Sequence, residues 1–381
     1  MKVLLQDRPD SDRFPGGDTI QIGKIAEFLS SHGIETRIYR EISPDLQEFD
    51  LVLIFNLTSL FECFLGSLNA IRQKKAYLVF PIYWDLETVI PRNAFVGFKR
   101  YLMERLPPRL RDAIRRAYAL MGYWNKTERK RDLLHVLLNE SEGLKREILI
   151  HSSHILPNSE AECGLLMNCF PEIPASKYTV VRSGCGRIEK SPAPENWPEE
   201  VNGQPFVCCI GAIGPRKNQL NLVRALKGLP VPLILVGPVK RENKGYYDLL
   251  VREKTENIFF LGRQPPDSVS WILKRAAVHV QPSYIETPGL ASLEAGLYGC
   301  NVVAADVPPV KEYFGDRIFY CTPGDVGSIR RAVESALATE RPNYGIAAFI
   351  EENYSWDQTL KPLIQVLERL FPFQVESSVS G

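Results

Sequence analysis

Short apolar runs alternate with amphipathic stretches along most of the chain. Val3–Gln6 and Leu51–Phe55 are apolar runs of the length that is typical of buried strands. Asp18–His32 has the spacing of a helix with one apolar face, and Gly33 follows it as a stop signal. Strands that alternate with helices are typical of parallel sheets covered by helices. The pattern therefore predicts an α/β fold with doubly wound parallel sheets.

The same pattern gives a full set of predicted elements. Strands are expected at 3–6, 34–39, 51–55, 76–80, 155–157, 178–182, 206–210, 232–236, 258–261, 277–281 and 301–304. Helices are expected at 18–32, 59–73, 159–169, 218–227, 246–254, 267–275 and 288–298, followed by a helical tail at 349–371 that breaks at Ser355-Trp356.

The alternation stops and restarts near the middle of the chain, which predicts two domains. A length of 381 residues suits two domains of ordinary size. Composition shifts towards Gly, Lys, Pro and Glu after Ser183, and Lys190–Gln204 has the character of a linker. We therefore expect an N-terminal domain over 1–190 and a C-terminal domain over 191–352.

Composition excludes several classes of protein. With 24% charged and 45% apolar residues, the chain is not disordered, collagenous or a coiled coil. The net charge of +1 argues against a polyelectrolyte binder, so any basic surface must be local. Neither a spanning run of about 18 apolar residues nor a signal-peptide core after Lys2 is present, so we expect a cytoplasmic protein. The adjacent Cys208 and Cys209 are predicted to be buried thiols, and no metal site is predicted.

The loop after the strand predicted at 277–281 carries the strongest chemical signal. Thr287 is a plausible N-cap and Pro288 suits the first helical position, which would leave the amides of Gly289, Leu290 and Ala291 free. A helix N-terminus of this kind binds phosphate. Glu286 and Glu294 flank it as two polar groups for a bound anion. The alternative is a capped helix with two solvated glutamates.

Two further turns follow predicted strands. Gly211–Asn218 joins small residues to Arg216 and Lys217, which would bring positive charge to a diphosphate. This sequence is not a Walker loop, and no Gly-x-Gly-x-x-Gly follows any strand, so an NAD-dependent enzyme is the least favoured hypothesis. Gly16 and Gly17, in the segment Phe14–Asp18 after the first strand, offer unhindered amides, although a Gly-Gly pair alone is a weak signal.

Taken together, these motifs resemble glycosyltransferase family 4, whose members are retaining enzymes of the GT-B fold. The resemblance rests on Glu286 and Glu294 with Pro288–Ala291 between them, and on Lys217. It extends to motifs along nearly the whole chain: Asn158-Ser159-Glu160, Val236-Gly237, Phe260-Leu261-Gly262, Val302-Val303, Glu312 and Tyr354-Ser355-Trp356. It implies two Rossmann-like domains facing a cleft, the N-terminal one binding the acceptor and completed by a C-terminal helix over 353–381, the other binding the donor.

The resemblance also implies roles for individual residues. It indicates a metal-independent hexosyltransferase that uses a nucleotide-diphosphate sugar as donor substrate, with no other cofactor and no nucleic-acid partner. Lys217, with Arg216, and the amides of Gly289, Leu290 and Ala291 would hold the diphosphate, Glu294 the ribose, and Glu286 the donor sugar. The catalytic candidates are thus Glu286, Lys217 and Arg216. The binding candidates are Gly16, Gly17, Gly211, Gly262, Arg263, Pro288, Gly289, Leu290, Ala291 and Glu294, with Gly262 and Arg263 near the base and Gly17 closing on the phosphates.

Two positions depart from the family pattern. Ala212 stands where an Arg is usual, and Trp84 stands where a His is usual. A catalytically degenerate protein that binds a sugar nucleotide or a partner without turnover is therefore kept as the alternative. Arg216 offers a guanidinium four residues after Ala212 as a replacement for the missing charge.

A basic segment interrupts the first domain. Residues 92–131 contain twelve Lys or Arg against three acidic residues, interleaved with aromatic and aliphatic side chains. Basic and aromatic residues on helices suit an anionic bilayer surface. We expect a membrane-facing site for a glycan or lipid-linked acceptor at the inner face of the membrane. The alternatives are a solvated helical insertion and, less favoured, RNA binding.

Overall fold

A computed structural model describes residues 1–12, 16–85, 89–95, 97, 104–123 and 130–372, apart from the side chains of 93, 119, 122 and 123. Its contacts divide the chain into two compact units. The first comprises Met1–Trp84, Arg105–Ser183 and Trp356–Gly381, and the second comprises Asp85–Glu104 and Gly184–Ser355.

The first unit is built on a five-stranded parallel sheet. Its strands are β1 (Lys2–Gln6), β2 (Glu35–Tyr39), β3 (Leu51–Phe55), β4 (Ala76–Phe80) and β5 (His154–Ile155), in the order β2-β1-β3-β4-β5. Its helices are α1 (Gly17–Ser31), α2 (Leu60–Arg72), α3 (Pro108–Tyr123), α4 (Lys130–Leu138), α5 (Ser141–His151) and α6 (Glu160–Cys169), with α14 (Trp356–Leu370) from the end of the chain.

Both faces of the first sheet are covered. Alternate residues of β3 point to opposite faces, so Leu51 and Leu53 join one apolar cluster while Val52 and Ile54 join the other. Five apolar residues of α14 lie in the first of these clusters: Leu360, Leu363, Ile364, Val366 and Leu367. The last helix therefore packs on the first-unit sheet.

The second unit is built on a six-stranded parallel sheet. Its strands are β6 (Val207–Ile210), β7 (Leu233–Val236), β8 (Ile258–Gly262), β9 (Val278–Gln281), β10 (Asn301–Ala305) and β11 (Phe319–Cys321), in the order β11-β10-β9-β6-β7-β8. Its helices are α7 (Gln219–Leu226), α8 (Lys244–Glu253), α9 (Pro266–Leu273), α10 (Leu290–Leu297), α11 (Pro308–Phe314), α12 (Val326–Leu337) and α13 (Tyr344–Asn353). Apolar clusters cover both of its faces.

These sheets confirm the prediction of two parallel-sheet α/β domains, with one wrong element. The segment 178–182 does not form a regular strand: Tyr178 makes an isolated bridge to Ile155, and the amides of Thr179 and Val181 donate to the carbonyl oxygens of Ile155 and Pro157 at 3.1 and 2.8 Å. β5 is only two residues long, so the pairing at this edge of the sheet is irregular. The prediction also stopped at 304 and missed α11, β11 and α12, which continue the same alternation. The helix break expected at Ser355-Trp356 falls between α13 and α14.

Cys208 and Cys209 are buried free thiols on β6, as predicted. Among the described residues, we find no helix that combines the length and apolar character needed to cross a bilayer.

Candidate functional site

The turn from β9 into α10 carries the residues with the strongest predicted chemistry. Its helix begins at Leu290, and Gly289 is the N-cap residue with a φ of +86°. A left-handed residue cannot belong to an α-helix, so the helix starts only after Gly289. The prediction that Thr287 is the N-cap and Pro288 the first helical residue is therefore wrong by two positions.

The later start of α10 still leaves amide donors at the turn. The amides of Ser292 and Leu293 donate to the carbonyl oxygen of Gly289, at 2.8 and 3.1 Å. Within the described chain, no hydrogen bond engages the amides of Gly289, Leu290 or Ala291. No acidic residue lies in the first turn of α10. These three donors form a positive helix end of the kind that binds anions.

Gly289 is required for its backbone conformation rather than for space. A methyl group added there would lie 3.5 Å from Ser292 Oγ and 3.7 Å from Glu286 Oε2, which are ordinary contact distances. The positive φ, by contrast, is strained for any residue with a side chain.

Glu286 lies close behind this turn and is paired with Lys217. Lys217 Nζ is 2.5 Å from Glu286 Oε1, and Arg216 Nη1 is 3.9 Å from the same oxygen. Lys217 belongs to a 3₁₀ turn, Pro215–Lys217, that follows β6. The amide of Tyr284 donates to the carbonyl oxygen of Arg216 at 3.0 Å, which fixes the two turns to each other.

Burial and charge act in opposite directions on Glu286. Its burial, at 5% exposed, would raise the pKa of the carboxyl group, but the Lys217 ammonium and the Arg216 guanidinium together bring the pKa below its ordinary value. Burial lowers the pKa of Lys217, and the Glu286 carboxylate counteracts that effect. The result is an ionised carboxylate that holds a lysine ammonium beside the open amides.

Glu294 lies further along α10 and differs from Glu286. No hydrogen bond or ion pair to its carboxyl group is found among the described residues. Burial raises its pKa to about 7. A partly buried carboxyl group without a partner among the described residues can accept hydrogen bonds from ligand hydroxyls, because such hydrogen bonds would favour its charged form.

Three glycines stand in a row across the ends of β6, β7 and β8. Gly211, Gly237 and Gly262 have φ values of +149°, +149° and +65°. The Gly211 amide donates to Val236 O and the Gly237 amide to Gly262 O, both at 2.8 Å. A methyl group on Gly237 would lie 2.1 Å from Gly211 O, so no side chain fits there. The row forms a backbone shelf next to Lys217, whose Cε would lie 3.1 Å from a methyl group on Gly211.

A cavity of about 360 Å³ opens beside this shelf. It is lined by Asn196, Ile213, Leu235, Gly237, Pro238, Val239, Tyr247, Phe260, Leu261, Gly262 and Arg263. The structure thus places Gly262 and Arg263 in a pocket with aromatic walls, which suits a flat ring. The sequence analysis did not name Tyr247 or Asn196, and it named Gly237 only as part of a family motif, without a role at the site. The signal for Gly237 was present, since it follows the strand predicted at 232–236 just as Gly211 follows the strand at 206–210.

Gly16 and Gly17 lie in the first unit, at the start of α1. The Gly16 amide faces Thr19 Oγ1 at 3.4 Å. Asp18 lies in the first helical turn, where its Oδ1 accepts from the Thr19 amide at 3.0 Å and its Oδ2 from Arg8 Nε at 2.9 Å. Phe14 and Pro15 of the predicted loop lie outside the described residues. The role of Gly16 and Gly17 towards a phosphate stays a prediction.

Ala212 and Trp84, the two departures from the family pattern, lie in different surroundings. Ala212 carries no charge, and Arg216 Nη1 lies 3.9 Å from Glu286 Oε1. The replacement of the missing charge by Arg216 stays a prediction. The loop of Trp84 is held by the buried Glu162, whose two carboxylate oxygens accept from the amides of Tyr83 and Asn158 at 2.6 and 2.7 Å.

The second unit matches a known family model. Residues 193–355 match the model described as Glycosyl transferases group 1, and the site residues from Gly211 to Glu294 lie inside this segment. The chain is 31% identical over 176 residues to the O-antigen chain mannosyltransferase B of Escherichia coli, covering 43% of this chain and 46% of that protein. It is 26% identical over 238 residues to the D-inositol 3-phosphate glycosyltransferase of Mycolicibacterium smegmatis, covering 59% and 55%. The matches span between 25% and 55% of the length of the curated relatives.

Solved structures extend the likeness to nearly the whole chain. HepE of Anabaena, crystallised with UDP and glucose, superposes with a TM-score of 0.66 at 16% identity, over 97% of this chain and 100% of that one. Sucrose-phosphate synthase of Thermosynechococcus elongatus gives a TM-score of 0.68 at 16% identity, over 98% and 99%. The chain has the GT-B fold. At this level of identity the likeness concerns the fold, so the chemistry must be argued from the residues.

Proposed function

We propose that the chain is a retaining, metal-independent glycosyltransferase of family 4 that moves a hexose from a nucleoside-diphosphate sugar to a glycan or lipid-linked acceptor. The observation that carries the proposal is the Lys217–Glu286 pair beside the amides of Gly289, Leu290 and Ala291. This arrangement lies within the segment that matches the glycosyl transferase model. The matches favour a transferase over the catalytically degenerate alternative.

The proposed chemistry follows from the charge that develops on the leaving group. Glycosyl transfer releases a nucleoside diphosphate, whose growing negative charge must be stabilised in the transition state. The Lys217 ammonium and the three amides are positive groups fixed in position before the reaction. Arg216, with a side chain 42% exposed, adds a more mobile cation at the same place. A metal ion is not needed for this role.

The other parts of the donor have matching partners. The uncommitted carboxyl group of Glu294 would accept hydrogen bonds from the ribose hydroxyls. The cavity with Phe260 and Tyr247 would take the base, next to Gly262 and Arg263. At Gly262, where no atom lies within 4 Å of the position that a side chain would take, the donor could approach the backbone closely. Glu286 would contact the donor sugar while it holds Lys217.

Calorimetry with a panel of nucleoside diphosphates tests the donor site. We expect the wild-type protein to bind at least one of them, and Lys217→Ala and Glu294→Ala to weaken that binding. Lys145→Ala is the matched control: its side chain is 15% exposed, against 14% for Lys217, and it too pairs with a carboxylate, Glu142, at 2.6 Å. The proposal fails if no nucleoside diphosphate binds, or if the Lys145 variant loses as much affinity as the Lys217 variant.

A lipid-linked acceptor is the part of the proposal that depends on the basic segment over 92–131. Of this segment, residues 96, 98–103 and 124–129 lie outside the described residues, and α3 supplies most of the remainder. A donor screen by mass spectrometry would identify the sugar, and assays with free and lipid-linked acceptors would separate the two acceptor classes.

A further inference from the structure

Helix α3 turns its charged side towards the protein. Asp112 and Arg116 lie on this side, and Arg116 is 7% exposed. Arg116 Nε donates to Asp112 Oδ2 at 3.0 Å, and its Nη1 donates to the carbonyl oxygen of Asn139 at 2.6 Å and to that of Leu137. The guanidinium therefore satisfies carbonyl groups at the C-terminal end of α4, where a cation is favoured.

Asp112 completes the contact on the same side of α3. Its carboxylate accepts from the Ser141 amide at 3.2 Å and from the Ser141 hydroxyl at 2.5 Å. Burial would raise the pKa of Asp112, but the Ser141 hydrogen bonds and the nearby Arg116 and Arg115 bring it below its ordinary value. These contacts fix the rotation of α3 about its axis, because turning the helix would leave buried charges without partners.

The opposite side of α3 is apolar and faces outward. Leu110, Ile114, Tyr118 and Met121 are 47%, 43%, 78% and 76% exposed. Their spacing of four, four and three residues places them along one stripe of the helix. The usual arrangement, seen in α14, buries the apolar stripe. An outward stripe of large apolar side chains marks an interaction surface.

The charges around the stripe indicate what covers it. Arg109 and Arg115, on the same helix, have side chains 91% and 58% exposed, and they pair with Glu140 at 3.7 Å and Asp112 at 3.2 Å, surface pairs that still leave both guanidinium groups open to solvent. The segment over 92–131 has nine more basic than acidic residues, in a chain whose net charge is +1. An anionic bilayer offers an apolar interior beneath a negative surface, which complements both features. A second copy of the same face would bring two positive surfaces together.

We propose that the outward face of α3, formed by Leu110, Ile114, Tyr118 and Met121, inserts into the surface of an anionic bilayer. This inference deepens the proposed function, since it would place the first unit at the membrane that carries a lipid-linked acceptor. Helix α3 would lie parallel to the membrane, with its apolar side chains among the acyl chains and the exposed Arg109 and Arg115 at the level of the headgroups.

Cosedimentation of the full chain with vesicles tests the inference. We expect binding to vesicles of equal parts phosphatidylcholine and phosphatidylglycerol, and weak binding to phosphatidylcholine alone. Replacing Leu110 and Ile114 together by Ser should lower the partition coefficient by about tenfold, because two large apolar side chains no longer leave water. Added salt should weaken the binding that depends on charge.

Matched controls separate insertion from a general loss of apolar surface. Ile150→Ser on α5 removes an isoleucine that is 43% exposed, the same fraction as Ile114, and should bind like the wild type. Tyr118→Ser should also weaken vesicle binding. Its control is Tyr344→Ser, which removes a tyrosine that is 76% exposed and should bind like the wild type. The inference is overturned if the wild type does not bind anionic vesicles, or if the Leu110 and Ile114 variant binds equally well. It is also overturned if that variant converts a dimer to a monomer in sedimentation velocity.

The donor site provides an independent readout. The Leu110 and Ile114 variant should keep the wild-type affinity for nucleoside diphosphates. Failure of vesicle binding with intact nucleotide binding would reject the membrane inference alone. Failure of nucleotide binding in the wild type would reject the proposed function.

Discussion

Two turns in this chain lead from the carboxyl end of a parallel strand into a helix, and they differ in where the negative charge lies. At α10 the carboxylate is Glu286, which lies before the helix and is neutralised by Lys217. At α1 the carboxylate is Asp18, which lies within the first helical turn and accepts from the helix's own amide at Thr19. The first turn of α10 has no acidic residue.

The difference decides which turn can receive a phosphate. An anion approaching α10 meets free amides and a lysine ammonium. An anion approaching α1 meets a carboxylate that already satisfies part of the helix end and is paired with Arg8 at 2.9 Å. Two turns with similar glycine-containing sequences therefore have different chemistry. We expect the donor's diphosphate to depend on α10 far more than on α1.

The largest expected effect comes from removing one cation at each turn. Lys217→Ala should lower kcat/KM for the donor by roughly 10²- to 10³-fold, the usual cost of losing one fixed group that stabilises developing charge. Arg8→Ala should lower it by less than about tenfold, because Asp18 already neutralises that guanidinium. Steady-state kinetics with the donor found by screening would measure both. Equal losses of kcat/KM in the two variants would contradict the expectation that the diphosphate depends on the turn before α10 more than on the turn before α1.

A smaller effect is expected from adding a methyl group at each turn. Gly289→Ala forces an alanine to a φ of +86°, which costs about 1–2 kcal/mol and should weaken nucleoside-diphosphate binding by roughly 5- to 30-fold if the turn relaxes. Gly16 has a φ of −124°, which alanine adopts freely. Its methyl group would lie 2.6 Å from Asp18 Oδ1, the end of a side chain that can move.

Calorimetry on the two glycine variants, together with their thermal unfolding midpoints, would measure this difference. Gly16→Ala should change nucleotide affinity by less than Gly289→Ala. If Gly16→Ala loses more nucleotide affinity than Gly289→Ala, the diphosphate binds at the turn before α1, and our assignment to the turn before α10 is wrong.

The architecture was largely accessible from the sequence because parallel strands are buried on both faces. Runs such as Leu51–Phe55 are fully buried in the structure and stand out as continuous apolar segments. The strand expected at 178–182 is not a regular strand because β5, beside it, is only two residues long, although the amides of Thr179 and Val181 still donate to the carbonyl oxygens of Ile155 and Pro157. Tyr178 and Val181 are buried, but only Tyr178 makes a bridge.

The site was accessible in part. Residues of one turn, such as Glu286 and Gly289, are neighbours in sequence, so their association could be predicted from spacing. The pairing of Lys217 with Glu286 joins residues 69 positions apart, and only the neighbouring positions of β6 and β9 bring them together. The start of α10 was misplaced because Thr287-Pro288 is a strong local signal that the left-handed Gly289 overrides. The basic and aromatic composition of 92–131 predicted a membrane-facing segment, but it could not identify which side chains of α3 face outward.

The smallest expected effect concerns pH and distinguishes Glu294 from the other carboxylates of the site. Burial raises the pKa of Glu294 to about 7, so the carboxyl group is largely ionised above that pH and protonated below it. Ribose hydroxyls donate to the ionised form, and binding at lower pH must first release a proton. Donor affinity should therefore fall by about fivefold between about pH 7 and pH 6, and stay nearly constant above about pH 8. The Glu286 carboxyl group, whose pKa lies below its ordinary value, should not contribute in this range.

Glu294→Gln should bind the donor more weakly at high pH, and its affinity should change less with pH. The terminal phosphate of a free nucleoside diphosphate titrates near pH 6 as well, so the difference between wild type and Glu294→Gln is the quantity to measure. Parallel profiles for the two proteins would mean that Glu294 does not contact the ribose.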